Sequence, residues 1–267
     1  MLTVQPIAAF SDNYIWLITR EGETGAFVVD PGDASVVEQA LESASLDLAG
    51  ILITHHHFDH VGGLAELRAR YQPVVYGPDN PAIEGLDHVV RHGDRVNMLG
   101  AELHVMEVPG HTLDHIAYFM PGKEMPGNET PGEEPLVFCG DTLFAGGCGR
   151  LFEGTPKMMH ASLSSLAELP ANTRIYCAHE YTLANLSFAR AVEPQNSALQ
   201  LRIAAAEQTR AQGEPTVPST LALELDTNPF VRCESPALQA ALRAQGKLEN
   251  EDPVEVFASI RGWKDNF

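Results

Sequence analysis

Four of the chain's 11 histidines fall within six residues in Thr54-His55-His56-His57-Phe58-Asp59-His60, between the apolar run Gly50 to Ile53 and Val61-Gly62-Gly63. Imidazole nitrogen together with carboxylate oxygen suits zinc, iron or manganese. A purely structural zinc site usually recruits cysteine thiolates instead, so this donor chemistry points to catalysis. If the segment leaves its strand extended, His55, His57 and Asp59 project to one side and His56 and Phe58 to the other. His60, at the start of the next helix, then swings toward the same space from a different backbone direction.

Donors from one segment cannot close around an ion, so further ligands are expected where His or Asp follows the end of an apolar run. Three places fit: Val108-Pro109-Gly110-His111, Phe138-Cys139-Gly140-Asp141 and Tyr176-Cys177-Ala178-His179. Each puts the polar group on the loop just beyond a strand, where α/β active sites collect. Five His and two Asp exceed the needs of one ion; two ions about 3.5 to 4 Å apart, bridged by a carboxylate and a water, would use all seven. His111 alone reads as an ordinary loop histidine, and only beside the 55–60 cluster does it read as a ligand. Side alternation makes His56 a packing or supporting residue. His88, His92, His104, His115 and His160 lack such companions and receive no function. Asp30, in Val29-Asp30-Pro31-Gly32, reads equally as a turn former and as a carboxylate that orients a ligand imidazole.

The elements that must position these groups are short in the first half of the chain. Apolar runs at Val4 to Phe10, Tyr14 to Thr19, Ala26 to Val29, Gly50 to Ile53, Val74 to Tyr76, Ala101 to Val108, Ile116 to Phe119 and Leu136 to Cys139 read as strands. Ala34 to Glu42, Gly63 to Tyr71 and Lys157 to Leu169 read as helices, the last behind a Thr155-Pro156 cap. From Tyr181 the pattern turns helical, at Thr182 to Val192, Ala198 to Gln212, Ala237 to Gln245 and Val254 to Trp263. A mixed α/β domain over 1–179 and a smaller helical domain over 180–267 are therefore expected. The Pro-Gly pentapeptides of 121–135 read as a surface loop joining two strands. The glycosylation sequon Asn128-Glu129-Thr130 within them carries no weight.

The chain has 267 residues, and 36 acidic against 17 basic side chains give a formal charge of −19. Long-range repulsion disfavours nucleic acid and anionic membrane surfaces, and neither is expected as a partner. No apolar run approaches a membrane span, and the start lacks a secretory pattern, so a cytoplasmic protein is expected, as a monomer acting on a small molecule. Cys139, Cys148, Cys177 and Cys233 form no C-x-x-C pair and read as reduced thiols, with Cys139 and Cys177 as buried hydrophobes.

The motifs Thr-His-His-His-Phe-Asp-His, Pro109-Gly110-His111-Thr112, Gly140-Asp141-Thr142-Leu143-Phe144 and Ala178-His179-Glu180-Tyr181-Thr182 resemble the metallo-β-lactamase superfamily. Gly147 to Gly154, Asn228-Pro229-Phe230 and Arg261-Gly262-Trp263-Lys264-Asp265 narrow the resemblance to its glyoxalase II (hydroxyacylglutathione hydrolase) family. The resemblance implies an αββα sandwich carrying a dinuclear site, with a C-terminal helical domain that helps hold glutathione. It implies His55, His57 and His111 on one metal, Asp59, His60 and His179 on the other, Asp141 as the bridge, and Asp59 and Asp141 as the catalytic carboxylates. Two divalent ions per chain follow, zinc first, with iron or manganese equally suited to the donors. For glutathione the matching positions are Arg150, Phe152, Tyr181, Arg261 and Lys264. Arg150 and Phe152 stand where the family pattern has Lys and Tyr: Arg150 keeps the charge, and Phe152 loses a hydroxyl donor.

The implied reaction is hydrolysis of S-D-lactoylglutathione to D-lactate and glutathione, in methylglyoxal detoxification. A metal-bound water has its pKa lowered to about 7, so a bridging hydroxide can attack the thioester without a Ser or Cys nucleophile. The leaving thiol, of pKa roughly 8.5, demands no general acid. An acidic protein can bind anionic glutathione if Arg150, Arg261 and Lys264 gather at one rim, because contacts within a Debye length of about 8 Å outweigh net charge. The competing readings are a lactonase, a mononuclear iron persulfide dioxygenase or an RNA-processing nuclease on the same scaffold, and a non-catalytic metal-binding module. Net charge disfavours the nuclease.

Overall fold

The computed structural model describes residues 1–122 and 133–267. Most of the Pro-Gly segment, including the sequon, lies outside the described residues. The chain forms two compact units, residues 1–107 with 114–140 and residues 108–113 with 141–267. These units cut the chain elsewhere than the change of composition near residue 180.

The first unit holds two sheets. In one, β1 (Leu2–Ala9), β2 (Asn13–Arg20), β3 (Gly25–Val29), β4 (Asp47–Leu52), β5 (Val74–Gly77) and β6 (His88–Val89) lie in sequence order. The first three pair antiparallel, and β3 to β6 run parallel. Parallel neighbours need crossovers, which α1 (Ala34–Ala44) and, after the short α2 (Phe58–Val61), α3 (Leu64–Tyr71) supply. Val37 and Leu41 of α1 and Leu64 and Leu67 of α3 bury their apolar stripe against Val28, Ile51 and Val75 of the sheet. The other sheet runs β10-β9-β8-β7 within this unit, from β7 (Arg95–Met98), β8 (Ala101–Glu107), β9 (Ile116–Met120) and β10 (Leu136–Gly140). The fully buried Tyr118 of β9 donates its hydroxyl to the Ile53 carbonyl beyond β4 at 2.9 Å, tying one sheet to the other.

The second unit holds the β11–β12 hairpin, the antiparallel pair β13–β14 and the remaining helices. Its elements are β11 (Leu143–Phe144), β12 (Gly147–Cys148), α4 (Pro156–Ala167), β13 (Arg174–Cys177), α5 (Thr182–Val192), α6 (Ser197–Ala211), β14 (Ser219–Thr220), α7 (Leu221–Thr227), α8 (Pro236–Ala244) and α9 (Pro253–Asp265), with a 3₁₀ turn at Pro229–Val231. Thr155, Asn196, Ser235 and Asp252 each accept a backbone N–H as helix caps, and Pro fills the first turn of α4, α8 and α9. Leu186 and Ala189 of α5 pack on Leu199 and Ala206 of α6. Phe230 packs between Phe188 and Phe257, at 6.0 and 5.8 Å between ring centres.

All eight strands read from the apolar runs are present, with ends shifted by up to three residues. β6, β7, β11, β12 and β14 were not foreseen, because two- to four-residue strands carry too little periodicity to register. The extended exit expected through Asp59 is corrected: α2 begins at Phe58, so Asp59 sits in its first turn. The cause is a close approach of two turns. Gly63 N–H bonds to the Pro31 carbonyl at 2.9 Å, and a Cβ on Gly32 would stand 1.9 Å from the Asp59 carbonyl oxygen. Gly32→Ala must push α2 aside and is expected to lower stability by about 1–3 kcal/mol, as overpacking does. A thermal melt beside the wild type checks it.

Candidate metal centre

In the first unit the parallel strands deliver their polar groups at their C-terminal ends. Asp30 follows β3 with φ 53°, a left-handed conformation that Asp tolerates better than most residues. Its backbone N–H still reaches the Leu52 carbonyl at 2.9 Å, which keeps the residue beside the start of the histidine segment. Its buried carboxylate accepts the Thr54 N–H and the Thr54 hydroxyl, both at 2.7 Å, and lies 3.0 Å from His60 Nδ1. Thr54 Oγ1, having donated to Asp30, accepts from His55 Nδ1 at 3.1 Å. Two imidazoles are thus fixed by oxygens on their Nδ1 edges, which leaves Nε2 as the donor toward an ion. Of the two readings of Asp30, the orienting one describes what it touches.

His55 lies 4.7 Å from His57 and 4.1 Å from His60 between ring centres. Asp59 Oδ2 accepts from Asn13 Nδ2 at 2.9 Å and stands 3.5 Å from His60 Nε2. His56 pairs with Asp114 at 2.9 Å, and Asn80 donates to the other oxygen of Asp114, so His56 supports the segment as alternation predicts. His115, given no role from sequence, is buried and stacks on His55 at 4.5 Å and 18°. Neither His115 nor Asn13 had a signal in the sequence, since a ring shelf and a distant amide have no motif.

The second unit brings together the three donors of the strand-end loops. Asp141 turns Oδ2 toward His111 Nε2 at 3.4 Å and Oδ1 toward His179 Nε2 at 3.3 Å, all three residues being buried. His111 Nδ1 meets the Arg150 carbonyl at 2.8 Å. Phe152 stands edge-on to His111 at 5.2 Å, and Tyr181 stacks on His179 at 4.7 Å with only 3° between planes.

Arg150 is exposed and lies 3.6 Å from Asp265 Oδ1, the same oxygen that Arg261 Nη2 reaches at 2.8 Å. Arg261 is only 6% exposed and donates Nη1 to the Cys148 carbonyl at 3.2 Å, so part of its cation is engaged inside the unit. Lys264 donates to the Ala184 carbonyl at 3.3 Å and lies 5.1 Å over the Phe188 ring. Burial, and next the charge of Arg261, pull its pKa below the usual ammonium range. All four cysteines are buried, and burial raises Cys148 to about 11 and Cys177 and Cys233 to about 12, as expected of inert reduced thiols.

These donor sets fit divalent ions. Two ligand atoms about 2.1 Å from one tetrahedral ion stand roughly 3.4 Å apart, longer than a hydrogen bond of about 2.9 Å. The carboxylate–imidazole separations of Asp59–His60, Asp141–His111 and Asp141–His179, at 3.5, 3.4 and 3.3 Å, have that spacing. Asp141 offers a different oxygen to each imidazole, as a bridging carboxylate does.

Two family models match the chain: the metallo-beta-lactamase superfamily over residues 9–179 and the hydroxyacylglutathione hydrolase C-terminus over residues 180–267. Among solved structures, ETHE1 from Myxococcus xanthus superposes with a TM-score of 0.64 at 25% identity, covering 99% of this chain and 98% of that one. The fold class is therefore the metallo-β-lactamase αββα sandwich with a C-terminal helical region, carrying His and Asp groups suited to a dinuclear metal site. Hydroxyacylglutathione hydrolases of Chromohalobacter salexigens and Dechloromonas aromatica are 51% and 50% identical to it, each covered over 100% of both chains. The chain belongs to the hydroxyacylglutathione hydrolase family.

Losing the Asp30 carboxylate frees Thr54 and His60 together. Asp30→Ala is expected to weaken metal retention 10- to 100-fold, the usual range for a residue that orients a ligand. Competition of the metal-loaded protein with a chelator measures it.

Proposed function

We propose that this protein hydrolyses glutathione thioesters, S-D-lactoylglutathione to D-lactate and glutathione. His55, His57 and His111 would hold one ion, Asp59, His60 and His179 the other, and Asp141 would serve both. The observation that carries the reading is Asp141 with its two oxygens facing two different imidazoles at ligand spacing. The ions when bound lower the pKa of water toward neutrality and draw charge from a thioester oxygen. Zinc is the first assignment, with iron and manganese accommodated by the same N/O donors.

The chain's own residues do the rest. Asp30 and the Arg150 carbonyl hold the Nδ1 protons of His60 and His111, so both imidazoles present Nε2 without further reorganisation. Asn13 fixes the rotation of the Asp59 carboxylate. The exposed guanidinium of Arg150 meets a glutathione carboxylate, and Phe152 and Tyr181 wall the peptide. Arg261 acts chiefly by holding Asp265 and the Cys148 carbonyl in place, and Lys264 lends its charge from the next turn of α9. Three cations against the single carboxylate of Asp265 leave a positive patch on a chain of charge −19. The proposal includes a catalytic region over 1–179, a glutathione-holding helical region over 180–267, and action as a cytoplasmic monomer. Among the described residues, no helix is long and apolar enough to cross a membrane.

Elemental analysis and steady-state kinetics of one preparation on a panel of glutathione thioesters test the reading. Near two ions per chain and turnover of S-D-lactoylglutathione are expected. One iron per chain without thioesterase activity would favour the dioxygenase. Asp141→Asn is expected to abolish turnover in a folded protein, and wild-type kcat in that variant would remove the bridge assignment. Arg150→Ala is expected to raise KM for the thioester roughly tenfold, the worth of one charged hydrogen bond, with little change in kcat.

A further inference from the structure

The turn between β11 and β12 lies inside the second unit, and side chains hold its backbone in addition to the β11–β12 ladder. Asn228 Nδ2 donates to the Gly147 and Phe144 carbonyls at 2.9 and 3.2 Å, and Asn185 Nδ2 to the Ala145 carbonyl at 3.3 Å. The Gly146 N–H donates to Glu224 Oε2 at 2.9 Å, and Asn228 Nδ2 reaches the same oxygen at 3.0 Å. Glu224 and Asn228 are fully buried. The other oxygen of Glu224 takes Arg202 and Ser219, and Arg202 also donates to Thr227 Oγ1 at 2.6 Å. Burying a guanidinium and a carboxylate costs desolvation that their mutual attraction seldom exceeds, so this pair is a poor device for stability alone.

What the hairpin carries gives the network its purpose. Asp141 stands two residues before β11 and Arg150 two residues after β12. The ladder Leu143–Cys148 and Phe144–Gly147 is continued by Gly149 N–H to the Thr142 carbonyl at 3.1 Å. A Cβ on Gly149 would lie 1.9 Å from the Asp141 carbonyl oxygen, so the two flanks are pressed together. The carbonyl of Arg150 then aims His111. A shift of the turn moves Asp141, the Arg150 carbonyl and the Arg150 side chain at once.

We propose that Glu224 and Asn228, with Arg202 as counter-ion, are positioning residues that set the Asp141 carboxylate and the Arg150 segment. The helical region would thereby help build the metal centre in addition to holding substrate. This rests on the reading of Asp141 as the bridging ligand.

The test uses the full-length holoenzyme in two variants, Asn228→Ala and the double substitution Arg202→Met with Glu224→Met. The double variant removes both buried charges together, whereas Glu224→Gln alone would strand Arg202. Folding is followed by circular dichroism and thermal melting. Ions per chain and retention against a chelator are read well below the melting temperature, and KM and kcat are measured on S-D-lactoylglutathione. Both variants are expected to fold and to release metal at least tenfold more readily, and KM is expected to rise as in Arg150→Ala. A lower melting temperature with wild-type metal retention and wild-type KM would overturn the proposal, leaving a structural network only. Should the double variant fail to fold, Asn228→Ala decides by the same readouts. A wild-type protein that binds no pair of ions or turns over no thioester would instead overturn the bridge assignment beneath it.

Discussion

An imidazole serves an ion best when its other nitrogen is held by a fixed acceptor, and this constraint recurs in both units. In the first unit it falls on Asp30. That carboxylate takes the Thr54 N–H and hydroxyl, lies against His60 Nδ1 and, through Thr54, steadies His55. A buried carboxylate in a left-handed conformation persists because so many donors converge on it. Its position follows from the parallel pairing of β3 with β4, which sets the last residue of one strand beside the start of the histidine segment on the next.

The second unit meets the same requirement with backbone. The Arg150 carbonyl holds His111, and that carbonyl is placed by a hairpin whose turn is gripped by Asn185, Glu224 and Asn228. The rings of Phe152 and Tyr181 lie against His111 and His179, so the groups assigned to glutathione touch the groups assigned to metal. Phe152 has no hydroxyl to donate, and its edge-on contact with His111 needs only the ring.

Electrostatics follow the same local logic. In a strongly acidic chain, Arg150 and Arg261 meet at one carboxylate oxygen of Asp265, and Lys264 sits one helical turn on from Arg261. Within a Debye length of about 8 Å these charges govern, and the remote acidic surface is screened.

The sequence by itself determined the donor chemistry. The histidine segment, the three strand-end loops with His111, Asp141 and His179, the eight longer strands and the Pro-capped helices are all legible, because alternation, helical period and capping are local properties. Tertiary structure decided the rest. Asp59 became helical because Gly32 and Gly63 let two turns touch, and His115 became a shelf because the loop after β8 returns it to His55. The Asn228-Pro229-Phe230 motif acquired a task only when folding brought it, 81 residues away, to the Gly147 carbonyl. A residue's type states what it can bind, but which atom faces it is settled by backbone pairing across long separations, and no window of sequence contains that pairing.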